Sequence, residues 1–549
     1  MKQWILLIKK VSFTYFLLLL LLIIFPDFIF FLINRQFYNA ILSIVVTYGL
    51  FFLPIFFLRN KLRLYAWILI PFIFLAPVNL ACIVYYNVPI NDSLVLLAIN
   101  TNQREALELL HGFLIPILLI ILFYSISYYL LITKLPRQIS FENSRMISLY
   151  SLIFIITLPT FDGNQSTYFE RLKARFYTVY PTSLVYALGE VYHQYSMIHG
   201  STSKRAAFTY NAIQFPEIHK KQIYILILGE SVRFDHLGIN QYFRKTTPKL
   251  AKEENLISFT NFYTNAFITE YSVPLIITGV PTDKFEQHYK QKSIVGAFNE
   301  AGFKTYWISN QIDNGHIKIH AEEANEKYFE MSDFKATKKV HQDLELLGVL
   351  KKALDEPGDK KFIVFHGLGS HYDYSTRYPD SFDYFKPSNK TVFSQATDYR
   401  KKDIIINSYD NSILYTDNLL DSIITLTKLQ NAVSAVYYIS DHGENLFDDD
   451  RHLSQHGYPV PSKYIAHVPF FIWYSDSLQK MMPNKIETLK RNKDKKASSE
   501  NIFYTYTTMC QFDFKGKNKA KSLCLPQFSE APRQILGGGG ILYNSELLK

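Results

Sequence analysis

Apolar residues run almost unbroken through the first 160 positions and then break into short bursts separated by polar segments. The early runs, at 11–33, 41–58, 64–86, 113–132 and 146–160, predict about five bilayer-spanning helices, the last one short. The first is not a cleaved leader, since no small-residue cleavage site follows it and further spans come after. Lys2, Lys9 and Lys10 precede the first run, Arg59, Lys61 and Arg63 sit between the second and third, and Lys134, Arg137 and Arg145 sit between the fourth and fifth. The positive-inside rule makes those segments cytoplasmic, so an odd number of spans places 161–549 on the outer side.

Two stretches border the membrane pattern. The loop 87–112 is too polar to span and carries a helical REALELL pattern with Asn102, Arg104, Glu105 and Glu108 in or beside it. It reads either as an outer helix that helps hold a lipid headgroup or as a solvated connection. Residues 161–215 repeat Tyr168, Phe169, Leu172, Phe176, Tyr180, Leu184 and Tyr186 with Arg171, Lys173 and Arg175 between them, the make-up of interfacial or linker helices. Asp27, near the outer end of the first span, is costly unless it faces water or a partner.

From Lys221 onward the pattern changes. Strand-length apolar runs fall near 223–228, 304–308, 362–366, 435–439 and 469–474, and segments such as Tyr409–Leu429 have helical spacing between them. Alternation of this kind predicts an α/β domain with a largely parallel sheet. The expected organisation is a transmembrane domain over 1–160, a linker over 161–215 and an outer, periplasmic catalytic domain over 216–549. Gly537–Gly540 reads as a flexible turn or tail.

Charge adds little to this division. The 58 Lys and Arg exceed the 48 Asp and Glu by 10, and residues 1–160 hold 6 of that excess. The remaining part is only mildly basic, and no cationic stripe interleaved with aromatics points to nucleic acid. Of the three cysteines, Cys82 lies in a span. Cys510 and Cys524 bracket a lysine-rich loop and would form a disulfide in an oxidising compartment.

The chemistry gathers at strand ends. The run Val436–Ile439 gives way to Ser440, Asp441, His442, Gly443 and Glu444, and the run Ile223–Leu228 ends in Gly229, Glu230 and Ser231. A carboxylate and an imidazole beyond a buried strand make half a site for Zn²⁺ or Mn²⁺, although the same residues also suit a plain polar loop. Open α/β sheets bind ligands beyond the carboxyl ends of parallel strands, which brings Glu230 to Asp441 and His442. Thr269, just before another apolar run, is placed as a helix N-cap or, on a metal, as a nucleophile.

The set GES-x-R-x-DH at 229–236, TTP at 246–248, TEYSVP at 269–274, SDHGE at 440–444 and HG at 456–457 closely resembles the bacterial phosphoethanolamine transferases. These are inner-membrane enzymes of the alkaline phosphatase/sulfatase superfamily, with five spans and a periplasmic domain. The resemblance implies transfer of phosphoethanolamine from phosphatidylethanolamine to lipopolysaccharide or another surface glycan. It implies Glu230, Thr269, Asp441 and His442 as zinc ligands, with Thr269 carrying the covalent intermediate. His371 and His456 match substrate-side histidines, with His366 and His452 as nearby competitors, and Asn102 and Glu105 resemble headgroup contacts. Asn265 and Leu275 stand where lipid A-modifying members often have cysteines, so the chain resembles more closely those that modify core sugars or other glycans. Rival readings are a phosphoglycerol transferase of the lipoteichoic-acid-synthase type using Mn²⁺, a tethered sulfatase or phosphatase, and a membrane scaffold with a decayed hydrolase domain.

Overall fold

The computed structural model describes the chain except for residues 1, 59–60, 87, 101–113, 136–143, 158–167, 169–171, 173–175, 178, 312–314, 330–341, 393, 395–396 and 459. It divides into two compact units, Met1–His193 and Gln194–Lys549. The dividing point falls inside the segment expected to link membrane and catalytic parts.

The first unit is a set of apolar helices. Phe13–Ile33 and Leu114–Lys134, each 21 residues long, are long and apolar enough to cross a bilayer. Leu62–Ile68 and Ile70–Val84 meet at a 44° bend and pass the same test as a pair, while Phe37–Phe52 and Ser144–Thr157 are shorter. Two candidate spans are therefore established among the described residues. Each of the five apolar runs coincides with helix, but the bend and the shorter lengths set three of them apart. Asp27 is fully buried and has found partners: Asn79 Nδ2 donates to Oδ1 at 2.6 Å and the Tyr180 amide to Oδ2 at 2.6 Å. Those bonds offset the cost of placing a carboxylate among apolar helices.

The second unit is built on a seven-stranded sheet. In chain order its strands are β1 (Gln222–Gly229), β2 (Leu256–Phe259), β3 (Lys304–Ser309), β4 (Glu326–Phe329), β5 (Lys360–His366), β6 (Val433–Ser440) and β7 (Phe470–Tyr474). They lie in the order β2-β7-β6-β1-β5-β3-β4. The strands from β6 to β4 run parallel, and β7 is antiparallel to both β6 and β2. The sheet is thus mixed: four of its six strand pairings are parallel, and β7 alone runs the other way. The apolar run at 469–474 did not betray its reversed direction, because a strand buried on both faces reads alike either way.

On β1, Tyr224, Leu226 and Leu228 pack into one apolar core and Ile223, Ile225 and Ile227 into the other. This is why the strand reads as a continuous apolar run rather than an alternating one. Each fully buried aliphatic side chain contributes about 1.5–3 kcal/mol relative to exposure. The covering helices used below are α1 (Thr269–Thr278), α2 (Ile294–Glu300), α3 (Leu347–Asp355), α4 (Lys402–Lys428) and α5 (Glu500–Met509). α1, α2 and α5 supply the first core, and α3 and α4 the second. Gly538–Gly540 forms the turn between the antiparallel pair Gln534–Leu536 and Leu542–Asn544.

Cys510 and Cys524 are free thiols, which corrects the expected disulfide. Both are buried in the first core. Cys510 ends α5, and Cys524 Sγ lies 3.2 Å from Ser522 Oγ and 3.8 Å from the Thr505 carbonyl. Enclosed this way they act as small apolar side chains, and burial raises both thiol pKa values.

Candidate metal centre

β1 and β6 pair in parallel with Gly229 opposite Ser440, so Glu230 and Asp441 leave the sheet side by side. The Asp441 amide still donates to the Gly229 carbonyl at 3.0 Å, which extends the ladder by one bond. Glu230, Asp441 and His442 are all buried and each offers a ligand atom within 4.8 Å of the others. His442 Nε2 lies 3.3 Å from Glu230 Oε1 and 3.4 Å from Asp441 Oδ2. Its Nδ1 sits 2.8 Å from the Gly443 carbonyl, which can only accept, so Nδ1 carries a proton and Nε2 is the ring atom that faces the carboxylates.

Thr269 is the first residue of α1, after Ile268 in extended conformation. Its hydroxyl donates to Glu230 Oε2 at 3.1 Å and lies 3.3 Å from His442 Nε2. The nucleophile candidate thus meets the other three side chains at a helix N-terminus, where amide dipoles favour an anion. The loop beyond β5 completes the rim. The His371 and His456 rings are 5.9 Å apart, and the His456 ring lies 4.1 Å from that of His442.

The residues fit a divalent cation. Asp441 Oδ2 is buried without a hydrogen-bond partner, an arrangement that costs free energy unless a cation is bound there. Burial and the Glu230 charge push Asp441 up. Burial opposes ionisation of Glu230 too, but the imidazoles of His442, His371 and His456 hold it down. His442, despite burial, is raised to about 9 by Asp441, Glu230 and Glu444. Such competition for one proton among clustered carboxylates is relieved when a dication replaces it. An oxygen-rich set with one imidazole suits Zn²⁺.

Other parts of the motif hold the loops in place. Arg233, buried, pairs with Asp235 at 2.5 Å and Asp448 at 2.6 Å, and so ties the loop after β1 to the loop after β6. His236 pairs with Asp410 of α4 at 2.7 Å. The Thr246 and Thr247 hydroxyls accept from the Gly238 and Ile239 amides at 3.0 and 2.8 Å. His366 lies inside β5 and is buried, and His452 is exposed and stacked on Tyr399 with ring centroids 3.8 Å apart. Asn102 and Glu105 lie outside the described residues.

Three contributors carried no assignment from sequence. Gln311, just past β3, donates through Nε2 to Glu230 Oε2 at 3.1 Å and to the Gly367 carbonyl at 2.7 Å. The strand-end rule that located Glu230 applies to it equally. Ser231 has φ 59° and holds Glu230 Oε1 through its hydroxyl at 2.8 Å and Asp441 Oδ1 through its amide at 3.1 Å. Asp343 accepts the Leu368 and Gly369 amides at 2.9 Å each, fixing the loop that leads to His371. No sequence pattern announced it. Within that loop Gly369 has φ 49°, and a Cβ there would stand 2.7 Å from the Glu230 carbonyl oxygen.

A mixed α/β sheet with an acidic and imidazole cluster at its strand ends and a threonine at a helix N-terminus defines a hydrolase-like domain with a candidate metal site. The chain belongs to the sulfatase family, which matches residues 222–510. It is 26% identical over 526 residues to the phosphoethanolamine transferase EptC of Escherichia coli (strain K12), covering 90% of this chain and 88% of that one. The crystal structure of the C-terminal periplasmic domain of the Escherichia coli EptC in complex with Zn superposes with TM-score 0.56 at 26% identity, over 62% of this chain and 96% of that one. The integral membrane lipooligosaccharide phosphoethanolamine transferase A of Neisseria meningitidis shares the fold with TM-score 0.68 at 19% identity, over 91% of this chain and 97% of that one.

Proposed function

We propose that this protein is a phosphoethanolamine transferase that moves the headgroup of phosphatidylethanolamine onto lipopolysaccharide or another surface glycan. The observation that carries the reading is the Thr269 hydroxyl, 3.1 Å from Glu230 and 3.3 Å from His442 within a ligand group of the right chemistry. The similarity to EptC over most of both chains supports the substrate class, and the zinc in the EptC domain supports Zn²⁺ over Mn²⁺. Glu230, Thr269, Asp441 and His442 would hold that zinc, which when bound supplies Lewis acidity and a lowered hydroxyl pKa.

The chain's own groups perform two displacements. Thr269 Oγ attacks the phosphodiester phosphorus, and the bond to diacylglycerol breaks. His371 and His456, on the open side of the site, bind phosphoryl oxygens and exchange protons with the entering and leaving groups. The acceptor oxygen then attacks phospho-Thr269 and frees the hydroxyl. The N-terminal helices supply five spans that hold the domain on the periplasmic face of the inner membrane. Asn102 and Glu105 take the donor headgroup.

Full-length protein incubated with phosphatidylethanolamine should carry phosphoethanolamine on Thr269 by mass spectrometry, and Thr269→Ala should carry none. Label on another residue, or a phosphoglycerol mass on Thr269, would overturn the assignment.

A further inference from the structure

Among the described residues of the second unit, Phe243 and Tyr384 are the most exposed phenylalanine and tyrosine side chains, at 81% and 74%. They flank one cation. The Arg244 guanidinium carbon lies 5.3 Å from the centre of the Phe243 ring and 5.2 Å from that of Phe385. The Phe385 ring in turn lies 5.1 Å from that of Tyr384. Ring, cation, ring and ring form a ladder at the surface, where apolar groups of this size mark a contact with something else.

The ladder joins the loop after β1, which also carries Glu230, to the loop after β5, which also carries His371. The start of α4 pins both. Arg244 Nη1 donates to Asn407 Oδ1 at 2.8 Å and to Asp410 Oδ2 at 2.7 Å. Asn411 Oδ1 accepts the Tyr384 and Phe385 amides at 3.0 and 2.7 Å. On the same turn the Tyr409 hydroxyl donates to the Ser231 carbonyl at 2.7 Å, beside Glu230. These bonds use only Nη1 of the guanidinium. Among the described residues no acceptor lies on its Nε or Nη2, and the side chain is 25% exposed. That free edge is the one that grips a phosphate through two parallel bonds. Lys245, exposed and paired with no carboxylate among the described residues, matches a second negative charge.

We propose that the ladder is a docking surface for the acceptor, a phosphorylated saccharide whose phosphate sits on Nε and Nη2 of Arg244 and whose sugar rings lie on Phe243 and Tyr384. This rests on the transferase reading and narrows its acceptor to a glycan with a phosphate away from the reacting oxygen. The negative face of an aromatic ring receives the C–H face of a sugar. Binding energy gathered there, remote from the phosphorus chemistry, holds the acceptor at the site. A bilayer needs a continuous apolar face, whereas here a cation separates the rings.

The test measures binding to full-length protein of fluorescently labelled, deacylated lipopolysaccharide, intact and after removal of its phosphates with hydrogen fluoride. Phe243→Ser/Tyr384→Ser removes two side chains that stand in solvent, and should weaken binding of both oligosaccharides about 10-fold. Arg244→Lys keeps the charge but not the fork. It should weaken binding of the intact oligosaccharide about 10-fold and leave the dephosphorylated one as in wild type. Equal effects of Arg244→Lys on the two oligosaccharides, or unchanged binding in Phe243→Ser/Tyr384→Ser, would overturn the proposal. So would a Phe243→Ser/Tyr384→Ser protein that binds both as wild type does but loads Thr269 more slowly from phosphatidylethanolamine, which would make the ladder a membrane contact. Wild type that never labels at Thr269 would instead overturn the transferase reading.

Discussion

Gly369 offers a measurement of how tightly the loop beyond β5 is set against the metal ligands. Its φ of 49° is a conformation that costs an L-residue about 1–2 kcal/mol. A Cβ at this position would also meet the Glu230 carbonyl at 2.7 Å, its amide at 2.9 Å and its Cβ at 3.1 Å. Two of these are backbone atoms and cannot rotate aside, so the overlap should cost about another 1–3 kcal/mol. Gly302 is the matched control. It too has a left-handed φ, 81°, but nothing lies within 4 Å of its would-be Cβ, and it precedes β3 at the opposite edge of the sheet. Gly302→Ala should therefore lose only the backbone term. Gly369→Ala should lose both, and should also displace Glu230 or the segment carrying His371. A shift of about 1 Å at reacting groups costs on the order of 100-fold in rate. Thermal unfolding, zinc content and turnover of the two full-length variants, side by side, give the comparison. If Gly369→Ala matched Gly302→Ala in all three, the close approach of this loop to Glu230 would have no functional weight.

Zinc removal should destabilise the protein. At metal concentrations 100-fold above the dissociation constant, bound zinc adds about 2.7 kcal/mol, so chelation should lower the unfolding temperature of wild type but not of Asp441→Asn. Acid should act through His316, which burial holds down to about 4 from the usual 6.5 and which lies 3.0 Å from the Tyr289 hydroxyl. Its folded pKa is depressed, so its contribution is intact above pH 6.5 and is lost as pH falls toward 4, about 3 kcal/mol in all. Burial depresses His288 and His320 as well, in the same direction. Unfolding midpoints between pH 7 and 4 should fall, and less steeply in His316→Gln. Reductant should leave the unfolding temperature unchanged, and a thiol reagent should reach Cys510 and Cys524 only after unfolding, since both are buried and unbonded.

Strand existence was legible because β1, β3, β5, β6 and β7 are buried on both faces and so stand out as apolar runs. β2 and β4 passed unnoticed: they are short edge strands, β4 is exposed along most of its length, and LISF and EKYF carry no such signal. The clustering of Glu230, Asp441 and His442 was legible from one rule about strand ends, applied twice. The same rule applied to β3 leads to Gln311. Asp343 was beyond reach, because it acts through backbone amides more than twenty residues away and such a contact leaves no local pattern. The disulfide failed for a different reason: spacing and compartment say that two cysteines could bond, not that they do, and both are buried as free thiols in one core. The bend between Ile68 and Ile70 is likewise a feature that composition does not register.

The one-to-one pairing of Gly229 with Ser440 makes the sheet a ruler for its own chemistry. Neighbouring strands are spaced about 4.8 Å apart by their hydrogen bonds, and the two residues that carry the carboxylates start from that separation. Segments farther along the same edge can then lengthen, shorten or change composition, provided that the close approach of Gly369 to Glu230 is kept. A scaffold of this kind allows the choice of acceptor to drift from one descendant to the next, with the phosphorus chemistry carried along unchanged.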